Sequence, residues 1–387
     1  MNNIYFDNNA TTMVAPEVID TILPFLKDHW GNPSSMHAFG GQVREYVELA
    51  RAQVAALIGA DPSEIVFTSC GTESDNTAIR GAIEASGARR NIITTRVEHP
   101  AVLGSCRDLK ERGYTVIELG VNHEGQIDLA ELAEALRQGP AVVSCMWANN
   151  ETGVILPIPE IARMVKAADG ILHTDAVQAA GKIEIDMRQV GVDLLSLSGH
   201  KIHAPKGIGA LYIRKGTRMK PLMLGGHQED NRRAGTENVP YIVGMGRAAE
   251  LAAQHLPDYV RVAGLRNRLQ AGILATCPDA LVNGDQLHRL PNTTNISFQY
   301  IEGEAILYTL SDLGIAASSG SACSSGSLEP SHVLRAMGIP FTAVHGSIRY
   351  SLSRYTTDAE IDYVIAQMPG VVNRLRAMSP FVPNNQK

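Results

Sequence analysis

Short apolar runs alternate with amphipathic stretches through the middle of this chain, and few folds accept that order of elements. "EIVFTS" (Glu64–Ser69), "NIITTR" (Asn91–Arg96), "YTVIEL" (Tyr114–Leu119), "AVVSCMWA" (Ala141–Ala148), "GILHTDA" (Gly170–Ala176) and "DLLSLS" (Asp193–Ser198) read as strands. Between them, "ESDNTAIRGAIEAS", "LAELAEALRQ" and "IPEIARMVKAA" space apolar residues three and four apart, each after a loop rich in Gly, Pro or Asp, as helices do. This order predicts an α/β fold with a mainly parallel sheet between helices. "GALYIRKG" (Gly209–Gly216) is expected to add an antiparallel edge. After about residue 260 the rhythm changes to "PNTTNISFQY", a helical "EGEAILYTLSDLG" and the Ser/Gly-rich "ASSGSACSSGS", which points to a second, smaller α/β domain.

With 387 residues, 44% of them hydrophobic, the chain has enough apolar material for two cores. A net charge of −6 gives no global basic footprint, so no direct nucleic-acid partner is expected. No run of eighteen apolar residues occurs, and "MNNIYFDNNATT" has neither a basic nor an apolar leader region, so a cytoplasmic protein without membrane association is expected. Five cysteines, without a CxxC, match neither a disulfide framework nor a zinc site, and no metal is expected.

In an open α/β sheet, ligands bind beyond the carboxyl ends of the strands. The polar residues there are Thr72 of "CGTESDN", His99 of "EHPA", Asn149 of "NNETG", Asp175 and Gln178 of "HTDAVQ", and Ser198, His200 and Lys201 of "SGHK". Gly71 lets the backbone turn, and the following amides can open a helix whose N-terminus attracts an anion. The GxGxxG fingerprint is missing, and Gly181-Lys182 lacks both the upstream glycine and the Ser/Thr of a P-loop. Each polar residue alone is better explained as an exposed lysine, a helix cap or a structural histidine. One ligand explains them together: a phosphate on Thr72, Ser198 and His200, a ring stacked under His99, a ring nitrogen kept protonated by Asp175, and an aldehyde captured by Lys201. That ligand is pyridoxal 5'-phosphate.

The stretches "YFDNNATT", "GNPSSMH", "TSCGTESDN", "EHPAV", "NNETG", "HTDAVQ", "SGHKIHAPKG", "RAGTEN" and "SSGSACSSGS" resemble, in order, those of the cysteine desulfurases, in particular the nitrogen-fixation and iron–sulfur-cluster type. The resemblance implies a fold-type I homodimer with a large cofactor domain, residues 13–259, and a small domain, residues 260–387 together with 1–12. It makes Lys201 the Schiff-base lysine, Asp175 the pyridinium partner, Gln178 a donor to the ring hydroxyl, and Thr236 of "RAGTEN" a contact to the phosphate of the neighbouring subunit. Asn149 and Arg349 of "GSIRYS" would hold the substrate carboxylate, a task suited to guanidinium.

Cys323 lies in a run too small and polar to pack as core, unlike Cys145 inside "AVVSCMW", and is the expected nucleophile on a mobile loop. The implied chemistry removes sulfur from L-cysteine, with Lys201 as base and His99 shuttling protons, and leaves alanine and a persulfide on Cys323 for an acceptor such as an iron–sulfur scaffold. A fold-type I aminotransferase would share Lys201 and Asp175 without needing Cys323. A selenocysteine lyase would share the scaffold, and a non-catalytic sulfur carrier would lack the cofactor.

Overall fold

The computed structural model describes residues 3–87, 91–319 and 330–381. Its strands are β1 (Ile4–Tyr5), β2 (Ile65–Thr68), β3 (Asn91–Thr95), β4 (Thr115–Leu119), β5 (Ala141–Ser144), β6 (Ile171–Asp175), β7 (Leu194–Ser198), β8 (Gly209–Ile213), β9 (Ala280–Asn283), β10 (Thr293–Phe298), β11 (Ile315–Ala316) and β12 (Ser347–Ser351). Seven of them form one sheet in the order β2-β8-β7-β6-β5-β3-β4. The run from β7 to β4 is parallel, as the alternating pattern predicts.

Side chains along these strands alternate between two cores, because successive residues of a strand point to opposite faces. Val66, Ile92, Val142, Leu194 and Leu211 join the core under helices Gly71–Ala85 and Pro100–Glu111. Their neighbours Phe67, Ile93, Val143, Leu195 and Tyr212 join the larger core on the other face, with Val47, Ile161 and Met245 from helices Ala38–Leu57, Ile158–Ala167 and Val239–Gln254. Covered on both faces, the strands can be apolar throughout.

The antiparallel strand is present, but not at the edge. β8 lies between β7 and β2 and pairs antiparallel with both, Ser198 opposite Gly209 and Thr68 opposite Gly209. β2 takes the rim because β8 turns back directly from β7 and fills the place beside it. Strand five is also shorter than the apolar run that announces it, since after Ser144 the chain leaves the ladder to build a turn.

A smaller antiparallel sheet, β12-β10-β9, carries a third core that contains Leu265, Ile296, Ile348 and Val364 from the C-terminal part together with Phe6. The first residues of the chain belong to it through β1, which pairs in parallel with β11. Asp7 then bridges to Ser351, and residues 8–12 cross from the small sheet to the large one, where the Thr12 amide donates to the His200 carbonyl at 3.0 Å. Among the described residues, no helix is long and apolar enough to cross a membrane.

Gly209 allows the close approach on which the start of helix Gly71–Ala85 rests. A Cβ there would lie 2.7 Å from the Cys70 carbonyl carbon, 2.8 Å from the Leu197 carbonyl oxygen and 2.9 Å from Thr68 Oγ1. Gly209→Ala is expected to cost about 1–3 kcal/mol of stability by overpacking. Gly264→Ala, at an exposed helical position with open space around it, is expected to gain up to about 1 kcal/mol. Urea midpoints of the two variants moving in opposite directions check both.

Candidate active site

One cavity of about 310 Å³ opens at the carboxyl ends of the parallel strands, and its wall draws on three parts of the fold. β6 ends in Asp175 and leads through a turn to Gln178. β7 ends in Ser198 and leads into the short helical turn that carries His200 and Lys201. β2 and β3 contribute through the helices that follow them, with Gly71 and Thr72 in the first turn of one and His99 as the N-cap of the other. Arg349 reaches in from β12 of the small sheet, and Asn9 and Ala10 come from the crossing N-terminal segment.

Eight residues singled out in the sequence thus meet in one wall: Thr72, His99, Asp175, Gln178, Ser198, His200, Lys201 and Arg349. Asn149 is not brought to it. Its Oδ1 accepts from the Glu151 and Thr152 amides at 2.9 Å each, and its Nδ2 donates to the Val97 carbonyl at 3.0 Å, so its side chain builds the turn after β5 while Asn150 lines the cavity. Thr236 is exposed, in the segment before helix Val239–Gln254, and is not part of this wall. Cys323 lies outside the described residues. Cys145 is buried as expected, whereas Cys70 lines the cavity at the helix start.

Lys201 Nζ donates to the carbonyls of Asn9 at 2.7 Å and Ala10 at 2.6 Å. These partners are backbone atoms, and no side-chain signal in "YFDNNATT" betrays them. At the helix start, a Cβ on Gly71 would lie 2.9 Å from Val177 Cγ2 and 3.4 Å from Ser198 Cβ, so glycine keeps bare amides beside Ser198. Bare amides at a helix N-terminus suit an anion.

Two buried carboxyls face this cavity. Burial raises Asp175, while His99, the Val177 amide and Lys201 hold it down. Asp75, buried deeper, is raised well above the carboxylate range by burial and by the charge of Asp175. Its Oδ1 finds no hydrogen bond among the described residues, with His173 Nε2 3.6 Å away. Like charges in a dry site do not both ionise, and of the two Asp75, raised further, is the one that holds its proton more firmly. Asp75 escapes the sequence reading although it stands one turn after Thr72, on the same helix face.

His99 Nδ1 accepts from the Ala101 amide at 3.2 Å, which leaves the ring proton on Nε2. Burial, opposed by Asp175 but aided by Lys201, keeps that ring neutral. Burial also pushes His200 down to about 4, with Lys201 adding to it. Arg349, 3% exposed, pairs through Nη2 with Asp7 Oδ1 at 2.7 Å and donates through Nη1 to the Asn150 carbonyl at 3.1 Å. Its Nε has no partner among the described residues. The wall therefore specifies a ligand with an anionic end at the helix start, a cationic nitrogen at Asp175, a flat face at His99, a group that reacts with an amine at Lys201, and a second anion at Arg349.

The aminotransferase class-V model matches residues 4–364. The chain belongs to that family. A cysteine desulfurase from Trichormus azollae is 62% identical over 382 residues, covering 98% of this chain and 96% of its own. The Azotobacter vinelandii cysteine desulfurase NifS is 56% identical over 387 residues, covering 100% and 96%. Among solved structures, a NifS-like protein superposes with a TM-score of 0.90 at 39% identity, covering 96% of this chain and all of its own. SspA in complex with cysteine superposes with a TM-score of 0.80 at 34% identity, covering 92% and 100%. The fold is that of the NifS-like enzymes, as the order of elements and the motifs imply.

Glu98, next to His99, provides a measurable signature of this buried site. Its Oε1 accepts from Thr95 Oγ1 at 2.9 Å and the Met146 amide at 2.8 Å, while Oε2 has no partner among the described residues. Burial, with the charge of Asp175, pushes its carboxyl up to about 8. The folded state then holds a proton that the unfolded chain has released above its ordinary value of 4.5. Stability from this group is present below that value and is lost as pH rises towards 8. Glu98→Gln is expected to flatten the fall of the urea midpoint between pH 5 and pH 8, and an unchanged slope would assign that fall to other groups.

Proposed function

We propose that this chain is a cysteine desulfurase that uses pyridoxal 5'-phosphate to convert L-cysteine into L-alanine and a persulfide on Cys323. The observation that carries the reading is the single wall shared by Lys201, Asp175, His99, the bare helix start and Arg349, in a chain 62% identical to a cysteine desulfurase. The donor set fits the cofactor: Thr72, Ser198 and His200 with the Gly71 amides for the phosphate, Asp175 for the ring nitrogen, His99 over the ring, Gln178 for the ring hydroxyl and Lys201 for the aldehyde. Bound there, pyridoxal phosphate supplies an electrophilic aldehyde and a ring that accepts the electron pair of the broken Cα–H bond.

The protein's own residues account for the rest. Arg349 orients the substrate carboxylate, and the neighbour described as a complex with cysteine supports a site of this shape. Lys201 Nζ, released from the aldehyde, takes the α-proton. His99 Nε2 moves protons at the ring face, and the Cys323 thiolate takes the sulfur. Cysteine and a thiol give alanine and a persulfide, so the step balances without an external oxidant. Asn149 supports the site through the turn that presents Asn150. Thr236, exposed on its own chain, serves the phosphate of a second copy, and exposed Trp30, Met36 and Leu224 support such a homodimer. The division into residues 13–259 and residues 260–387 with 1–12 belongs to this reading, supported by Phe6 packing with Val262 and Ile348. Likeness to the nitrogen-fixation type supports an iron–sulfur scaffold as acceptor, in the cytoplasm.

Alanine and sulfide released from L-cysteine under a reducing agent test the reading. Borohydride should fix the cofactor to Lys201 in the wild type, Lys201→Ala and Cys323→Ala should each yield no alanine above background, and pyridoxyl on another lysine would overturn the assignment. Arg349→Ala is expected to raise the apparent dissociation constant for cysteine roughly ten- to hundredfold, since a buried charge-assisted hydrogen bond is worth about 1.5–3 kcal/mol. An unchanged constant would remove Arg349 from the site.

A further inference from the structure

Gly181, at φ +72°, turns the chain where a Cβ would lie 3.0 Å from Ala252 Cβ and 3.1 Å from Ile202 Cγ2, and the next residue, Lys182, goes inward. Lys182 is 3% exposed and takes no part in the cavity wall. Its Nζ donates to the Gln178 carbonyl at 2.9 Å and to Gln178 Oε1 at 3.1 Å. At the far end of the same amide, Nε2 donates at 2.9 Å to the Asn9 carbonyl, the oxygen that also accepts from Lys201 Nζ at 2.7 Å. One glutamine side chain thus spans the distance between a hidden amine and the oxygen that holds the reactive one. Burial pushes the Lys182 amine down to about 7, with Lys201 and Arg349 acting in the same sense.

A carboxamide has nearly the same shape either way round, and its partners decide which end is oxygen. Charged or neutral, the Lys182 amine has the protons to donate both to the Gln178 carbonyl and to Oε1, so it meets the amide at its oxygen end. We propose that Lys182 is the positioning residue for Gln178, holding Oε1 inward so that the amide presents N–H, never C=O, to a ligand in the cavity. One of the two Nε2 protons goes to Asn9, and the other is left for a ligand oxygen. The inference rests on the reading of Gln178 as partner of the cofactor's ring hydroxyl, and extends it to the residue that makes that contact an acceptor-selective one. A lysine that merely fills space would do so without regard to the amide.

The test uses full-length protein reconstituted with pyridoxal phosphate, and reads the absorption maximum of the bound cofactor and its dissociation constant from titration of the apoprotein. Lys182→Met removes the donor and keeps the length, whereas Lys182→Gln keeps a donor. Lys182→Met is expected to shift the absorption maximum and weaken cofactor binding about tenfold, the scale of one lost hydrogen bond. Lys182→Gln should recover most of both, and Lys182→Met should add nothing in a Gln178→Ala background. Equal effects of Lys182→Met with and without Gln178, or a Lys182→Gln variant as impaired as Lys182→Met, would overturn the inference and leave the role of Gln178 standing. Gln178→Ala with unchanged spectrum and affinity would overturn both. Circular dichroism of the apoprotein checks folding, and Lys182→Leu replaces Lys182→Met if the latter does not fold.

Discussion

Four parallel strands buried on both faces, with a fifth at the rim, leave little room for reactive polar groups along their length. Within the sheet, His173 is spent on Ser144 and Ser196 at 2.9 Å each. Reactive groups are therefore displaced to where the strands end and the chain emerges, and Asp175 and Ser198 are the last residues of their strands. The rest of the site depends on this displacement. It brings two helix starts and a short turn to one rim, at the place where the ladder no longer occupies the backbone amides.

The second support is the crossing segment from Asp7 to Thr12. It starts on the small sheet, where the Asn9 amide donates to Ser351 Oγ at 2.9 Å, and ends against the large one, where Thr12 meets His200. On the way it offers its carbonyls to Lys201 and its Asp7 carboxylate to Arg349. The amine and the guanidinium, which belong to different sheets, are thus referred to the same few residues. The polar contacts there are short and buried or part-buried, which makes each costly to leave unmade.

What the sequence disclosed, and what it did not, follows from how each group acts. Groups that act through a side chain at a strand end, such as Asp175 and Lys201, announce themselves by type and position. The interior place of β8 was not legible, because a strand that returns beside its predecessor reads the same at a rim or within a sheet. Asn149 was expected at the ligand because side-chain type cannot tell an amide spent on its own turn from one turned outward. The carbonyls of Asn9 and Ala10 carry no side-chain signal. Asp75 had one, its spacing from Thr72, and Lys182 was visible only as the lysine of a failed phosphate loop. Cys323, outside the described residues, was legible from the small, polar run around it and from the resemblance.

Arg349 does not face the cavity as a bare charge. With Asp7 on one nitrogen and the Asn150 carbonyl on another, the guanidinium is compensated before any ligand arrives, and an incoming carboxylate must trade places with one of these partners or settle for Nε. Recognition of this kind is an exchange, in which the desolvation of a buried cation has been met during folding and not at the moment of encounter. On the proposed reading, a substrate carboxylate held by exchange is aligned by the arginine, and a product that carries the same carboxylate leaves by returning the arginine to the aspartate that held it at the start.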